Sequence, residues 1–561
     1  MKIKHINKII SLLLCILLIG ALFSGCSGND KAIDFIYPFS ADVKSYDPQI
    51  AGTTDEFLII ENTFEGLIRI DDDGTVKAGV ADSWDVSNDG LTYTFKLKKG
   101  IKWNIDTEKD DDGEFKDERL KMLGYAFNPD ITAHDFVFAL QRAAQQDTDS
   151  PLFSTISCIK NAASIHNGKK KSSNLGVKAI DDYTLQISLS IADDSFMNTL
   201  TTAVAMPCNK EFFEATKGRY GLSTEYTLFN GQFYLSQILE SSYLLKNNEF
   251  YKGDYPSAAS ELTLKISEST DNNDLLDKLK SGYYDAAFIS GKDSESIKNS
   301  SGITSTPYND TTWAFLFNTN NVVFQSKTMR KAFCTGLTRL DNTGKEYLTD
   351  ATNLLPSSCT IAGNNAIAAI GTSVAKQNVD ESITLWKKGL SFIADTDFTI
   401  TVITTEAMQD CVKKMLQGIQ SGIGNVVKNN DGETINFTIK VEAMSESDLN
   451  AKISSRDYDI AFCPFKSSTD SAIAYLKSFS DNNPTGFNTK DLNSAVSAAE
   501  KSTDLKSASN YVKKAEKSIL NTYSIYPMIY ESGYYVSAKG VSGVQFHAGS
   551  GRVSFVNATR Q

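Results

Sequence analysis

Histidine and cysteine are scarce in this chain, with 4 His and 8 Cys among 561 residues. His5 lies in the N-terminal leader, and His134, His166 and His547 make no HxxH or HExxH spacing, so no metal and no cofactor are expected. Beyond the leader, Cys158, Cys208, Cys334, Cys359, Cys411 and Cys463 include no CxxC pair and are spread over more than 300 residues. A chain of this size needs no staples; buried free thiols are the plain reading, with one bridge left open outside the cell. A GxSxG elbow, a P-loop and a dinucleotide GxGxxG are all missing, since Gly422 and Gly424 lack the third glycine. Excess positive charge is missing too: 56 Lys and Arg face 68 Asp and Glu, which argues against nucleic acid as a partner. Adjacent acids at Asp181-Asp182 and Asp193-Asp194 would point to opposite sides of an extended segment, a poor arrangement for glycosidase chemistry. The acidic stretch 106–118 fails as a calcium loop, because Arg119 falls where the bidentate Glu is required. No enzyme class is supported.

What is present begins with an export signal at 1–25. Lys2, Lys4 and Lys8 precede an apolar run from Ile9 to Leu22, too short for a spanning helix. Leu22-Phe23-Ser24-Gly25-Cys26 then resembles a bacterial lipobox, which implies cleavage before Cys26 and a lipid on its sulfur. Loss of the three lysines takes the formal net charge from −12 to −15. Residues 26–32 read as a polar tether. The remainder, 41% hydrophobic and 22% charged over the whole chain, has the composition of a large globular protein of several core-forming units. Leu91, Tyr93, Phe95 and Leu97 alternate with polar residues, as do Leu185, Ile187 and Leu189, and both predict half-buried strands. Thr132 and Asp135 have capping-box spacing before Phe136, Ala139, Leu140 and Ala143, and Leu275, Leu276 and Leu279 predict a helix that stops at Gly282. Strands and helices mixed along the length predict an α/β or α+β protein without solenoid repeats.

Several segments, in order, resemble the oligopeptide-binding lipoproteins of ABC importers, solute-binding family 5. Ser45-Tyr46-Asp47-Pro48 and Phe64-Glu65-Gly66-Leu67 are similar to the family's opening, and 79–100 (GVADSWDVSNDGLTYTFKLKKG) to its signature. Ile131 to Phe136 with Arg142, then 175–190, 230–235, 245–253, 279–287 and 328–341, continue the likeness. The resemblance implies a bilobed, type II periplasmic-binding-protein-like clamshell with an extra subdomain. Lobe I would take 33–70, 176–264 and 481–561, the subdomain 71–175, and lobe II 265–480. It implies a monomeric, extracytoplasmic, lipid-anchored receptor, on the outer face of the cell membrane or in a periplasm. Such a receptor binds peptide by main-chain pairing and side-chain pockets and delivers it to a permease. A non-peptide or blocked solute, or a peptide-pheromone receptor, is the alternative.

By the same resemblance, a strand before Phe57 places Gly52, Thr53 and Thr54 at the ligand. Phe153 would line a side-chain pocket, and Asn230, Gly231, Gln232 and Phe233 match a conserved turn of the family. Cys463, Pro464 and Phe465 match a strand in which Phe465 stands where a tryptophan covers the ligand, and Tyr530 matches a tyrosine of the C-terminal strand. Two departures stand out. The acid that pairs with the peptide's α-ammonium in the family is replaced by Ser468, with Asp470 the nearest carboxylate. Between Trp103 and Ile131 about twenty extra residues replace a short turn, which a surface loop tolerates.

Overall fold

The computed structural model describes residues 33–561 except 72–74, 124–126, 191, 193–195, 268–271, 340–346, 362–363, 392–396, 424–427, 467–470, 482, 484, 501, 503–504 and 548–551. Its first sheet joins β1 (Ile33–Phe39), β2 (Phe233–Leu239), β3 (Ser242–Asn247) and β4 (Ala259–Ile266) in the order β1-β4-β3-β2, with β1 parallel to β4. The second is larger and contains β5 (Ala286–Ser290), β6 (Ile303–Phe317), β7 (Asp397–Thr405), β8 (Asn436–Met444), β9 (Ile460–Lys466) and β10 (Ile525–Ala538) in the order β5-β10-β6-β9-β7-β8. Strands β7, β8 and β9 run parallel, so their carboxyl ends open on one side.

Sequence pattern and structure agree where the period is clear. The alternating segments form strands Thr92–Leu97 and Thr184–Ser188, which pair with each other. Asp135 accepts from the Thr132 N–H at 2.7 Å and its hydroxyl at 3.0 Å, starting the helix Ala133–Ala143. The helix Asn272–Lys280 is followed by Gly282 at φ 73°. All six described cysteines are buried and unbridged.

Two large cores and one small one fill the molecule. The first holds buried side chains from Phe35 to Leu264 and again from Ala538 to Ala558; the second holds those from Trp313 to Ile529. A small cluster of Leu275, Leu279, Ile289 and Ile297 packs on Tyr534 and Val536 of β10. The stretch 481–561, expected in lobe I, therefore divides: Leu492 to Ile529 pack in the second core and only Ala538 to Ala558 in the first. The sheet of Ala81–Val86 and Thr92–Leu97, within the expected subdomain, is continued by Thr184–Ser188 and Val177–Asp181 from beyond 175.

Family-like motifs hold the first core together. Arg142, almost fully buried, donates to both carboxylate oxygens of Asp47 and, at 2.9 Å, to Gln49, with its guanidinium 4.0 Å over the Phe213 ring. The Asn230 side chain accepts from Glu65 N at 3.1 Å and donates to Glu65 O at 2.8 Å, so the turn at 230–233 is bound to Phe64–Leu67. Gly231 is required there, since a Cβ would come within 2.6 Å of the Thr63 backbone.

Candidate functional site

Strands β6 and β10 are 15 and 14 residues long and pair along almost their whole length, running from one core toward the other. Their ladder slips between Tyr308 and Thr311, opposite Glu531 to Gly533, and a bulge of this kind bends a strand and redirects side chains. A cavity of about 750 Å³ opens at this slip. The crossing strands give it Tyr308, Asp310, Thr311 and Trp313 from β6, and Glu531, Ser532, Gly533 and Tyr535 from β10. The first core adds Tyr37, Gly52, Thr54, Phe57 and Val553. From the second come Thr405 at the end of β7 with Glu406 and Ala407 beyond it, Met444 at the end of β8 with Ser445 beyond it, and Pro464 and Lys466 on β9. The wall on that side is thus built at the carboxyl ends of the three parallel strands, where ligands of open α/β sheets bind.

The segment 52–54 is the start of a helix, α1 (Thr54–Thr63), and not the expected strand. A capping box explains this: Thr53 Oγ1 accepts from Glu56 N at 3.2 Å, and Glu56 Oε2 accepts from Thr53 N at 3.1 Å and Gly52 N at 2.8 Å. Glu56 Oε1 takes the N–H groups of Lys44 and Ser45 at 2.8 and 3.1 Å, so one buried carboxylate anchors this wall of the cavity.

Of the residues singled out from sequence, Gly52, Thr54 and Pro464 line the cavity. Thr53 caps the helix, its hydroxyl donating to Asp42 O at 2.6 Å. Cys463 is buried and Phe465 stacks on Phe479 at 5.7 Å, on the face of β9 opposite to Pro464 and Lys466. Tyr530 is turned the same way; its oxygen accepts from Asn353 N at 2.9 Å, while the next residue, Glu531, reaches the cavity. Phe153 stacks on His166 at 3.8 Å within the first core's periphery, and Asn230, Gly231, Gln232 and Phe233 are buried against Glu65 and its neighbours. Cys26, Ser468 and Asp470 lie outside the described residues.

Half of the cavity residues not foreseen are aromatic or acidic. Trp313 donates its indole N–H to Glu531 Oε2 at 2.6 Å and stacks on Phe462 at 5.6 Å. The Tyr308 hydroxyl donates to Asp310, and burial and the nearby carboxylate push the Tyr308 phenol well above its ordinary range. Tyr535 shifts in the same direction, chiefly by burial. Neither phenol ionises near neutral pH, so both act as hydrogen-bonding groups and ring surfaces.

A bilobed chain with a cavity between its cores is matched by known proteins. The family described as bacterial extracellular solute-binding proteins, family 5 middle, matches residues 75–487. The chain belongs to that family. The oligopeptide-binding protein OppA of Bacillus subtilis (strain 168) is 24% identical over 535 residues, covering 92% of this chain and 90% of OppA. The oligopeptide-binding protein AmiA of Streptococcus pneumoniae serotype 4 is 30% identical over 293 residues, which span 50% of this chain and 41% of AmiA. Among solved structures, Listeria monocytogenes OppA bound to peptide superposes with a TM-score of 0.74 at 21% identity, covering 95% of this chain and 100% of that one. The fold is therefore the α/β, bilobed, type II clamshell of periplasmic oligopeptide-binding proteins. No helix among the described residues is long and apolar enough to cross a membrane.

Proposed function

We propose that this family 5 solute-binding protein is the receptor of an ABC importer, which captures oligopeptides in the cavity between its lobes and delivers them to the permease. The observation that carries the proposal is the cavity of about 750 Å³ walled by both cores and by the two strands that cross between them. That volume lies within the ~300–1,000 Å³ of small-ligand sites and suits a short stretch of extended peptide. The names of its relatives support the cargo class.

In this reading lobe I comprises 33–266 and 538–561 with the subdomain, lobe II comprises 311–531, and the slip at 308–311 and 531–533 is the hinge. The protein works as a monomer without catalysis, tethered to the membrane through lipid on Cys26. Gly52, Thr54 and Pro464 contact the ligand directly; Ser468 and Asp470 are proposed on its amino-terminal side. Mass spectrometry of whatever co-purifies with the native protein, followed by calorimetry with the same compounds, tests the cargo. Peptides in the eluate and micromolar or tighter binding are expected; a peptide-free eluate together with no heat from a mixed peptide library would discard the proposal. For the anchor, Cys26→Ala is expected to abolish labelling by a fatty-acid analogue and to release the protein from membranes.

A further inference from the structure

Three carboxylates, Asp310, Glu406 and Glu531, line the cavity alongside one ammonium, that of Lys466. Asp310 sits in the bulge of β6, and the two bonds that its carboxylate accepts come from neutral donors, the Tyr308 hydroxyl and Thr311 Oγ1 at 2.7 Å. A carboxylate has about four acceptor sites. Among the described residues no Lys, Arg or His pairs with Asp310. Three rings stand beside it. Phe288 and Tyr308 are 5.9 Å apart with nearly perpendicular planes, Phe288 and Tyr535 are 5.6 Å apart, and Tyr308 and Tyr535 are 4.7 Å apart. Phe288 is 43% exposed, a large figure for a ring in this position, while Tyr535 is 4% exposed, stacks on Phe546 at 4.3 Å and has its hydroxyl beside that of Tyr308. A carboxylate that accepts only from neutral donors and an exposed ring close by are together what a cation needs: the ring attracts it electrostatically and the oxygens accept its N–H groups.

We propose that the hinge end of the cavity is a subsite for a cationic side chain of the bound peptide, with its ammonium or guanidinium held by Asp310 and walled by Phe288, Tyr308 and Tyr535. The inference rests on the peptide-receptor reading and narrows its cargo to peptides that carry Lys or Arg at one position. Calorimetry with alanine pentapeptides that carry Lys at each position in turn locates that position. Replacement there by Arg, norleucine or citrulline, each with a free and an acetylated amino terminus, then tests the charge. The cationic peptides are expected to bind about tenfold more tightly than their neutral isosteres, acetylated or not. In Asp310→Asn that ratio should fall to about one, and in Phe288→Leu, whose ring is already half in solvent, part of the way. Equal binding of Lys and norleucine at every position, a ratio that survives in Asp310→Asn, or a preference that vanishes on acetylation would each overturn the subsite. Should no peptide bind, agmatine and cadaverine decide: binding that depends on Asp310 keeps the cationic subsite and discards the peptide cargo, and no binding overturns both.

Discussion

Glu65 is fully buried, accepts from the Tyr251 hydroxyl at 2.8 Å, and has an Oε2 with no hydrogen-bond partner among the described residues. Desolvation outweighs the Tyr251 bond and nearby Arg69, and pushes its pKa up to about 7. The fold thus holds the proton more tightly than the unfolded chain does. The stabilisation is complete below the unfolded value of about 4.5 and is lost as pH rises toward 7. Glu65→Gln removes this dependence: relative to the parent it should gain about 2–3 kcal/mol between pH 4.5 and pH 8, measured by urea unfolding at both. Parallel unfolding curves at the two pH values would rule the effect out. Gly533 is a second residue with a single reason for its identity, since a Cβ there would lie 2.3 Å from the Phe288 ring. Gly533→Ala is expected to swing that ring into the cavity, weakening ligand binding about tenfold with little change in Tm, and Phe288→Ala added to it should restore affinity for peptides without a cationic side chain. Residue identity at such positions was visible in the sequence only as composition. Nothing in the local pattern says that Gly533 faces a ring some 245 positions earlier.

The start of helix α1 shows how one element positions the cavity. Glu56 accepts four backbone N–H groups, from Lys44, Ser45, Gly52 and Thr53. Glu56→Ala strands all four, one buried and three part-buried, and should cost about 2–4 kcal/mol, with loss of ligand affinity because Gly52 and Thr54 lose their support. Thr53→Ala removes a cap alone and should cost about 1 kcal/mol. Thermal unfolding of both variants checks the difference, and equal costs would show that Glu56 acts merely as a capping partner. A capping box starts the helix at 53–56, where likeness to a ligand-contacting edge suggested a strand. On β9 and β10 the likeness found the right strands but chose Phe465 and Tyr530, which face away. Side chains alternate along a strand, so a displacement of one residue exchanges cavity for core.

At the scale of the molecule, ligand held between two cores links binding to closure. Saturating peptide is expected to reduce the radius of gyration in small-angle scattering and to raise stability by about 2.7 kcal/mol when free ligand is 100-fold above Kd. Binding without any compaction would place the ligand outside the interlobe cavity. Local information in the chain was enough for the elements with a clear period, for the buried thiols, and, through an ordered set of motifs, for the family and its bilobed α/β fold. Those motifs turn out to be internal glue: Asp47 with Arg142, and Asn230 with Glu65, are contacts that many cargoes can share. Which side chains line the cavity was decided by the tertiary structure. Tyr308, Asp310, Glu531 and Tyr535 come together only because two strands more than 200 residues apart in sequence pair across a bulge. Long-range pairing and its register leave no periodic trace in either strand alone, and so the cavity's chemistry could be read only once the chain had been brought together.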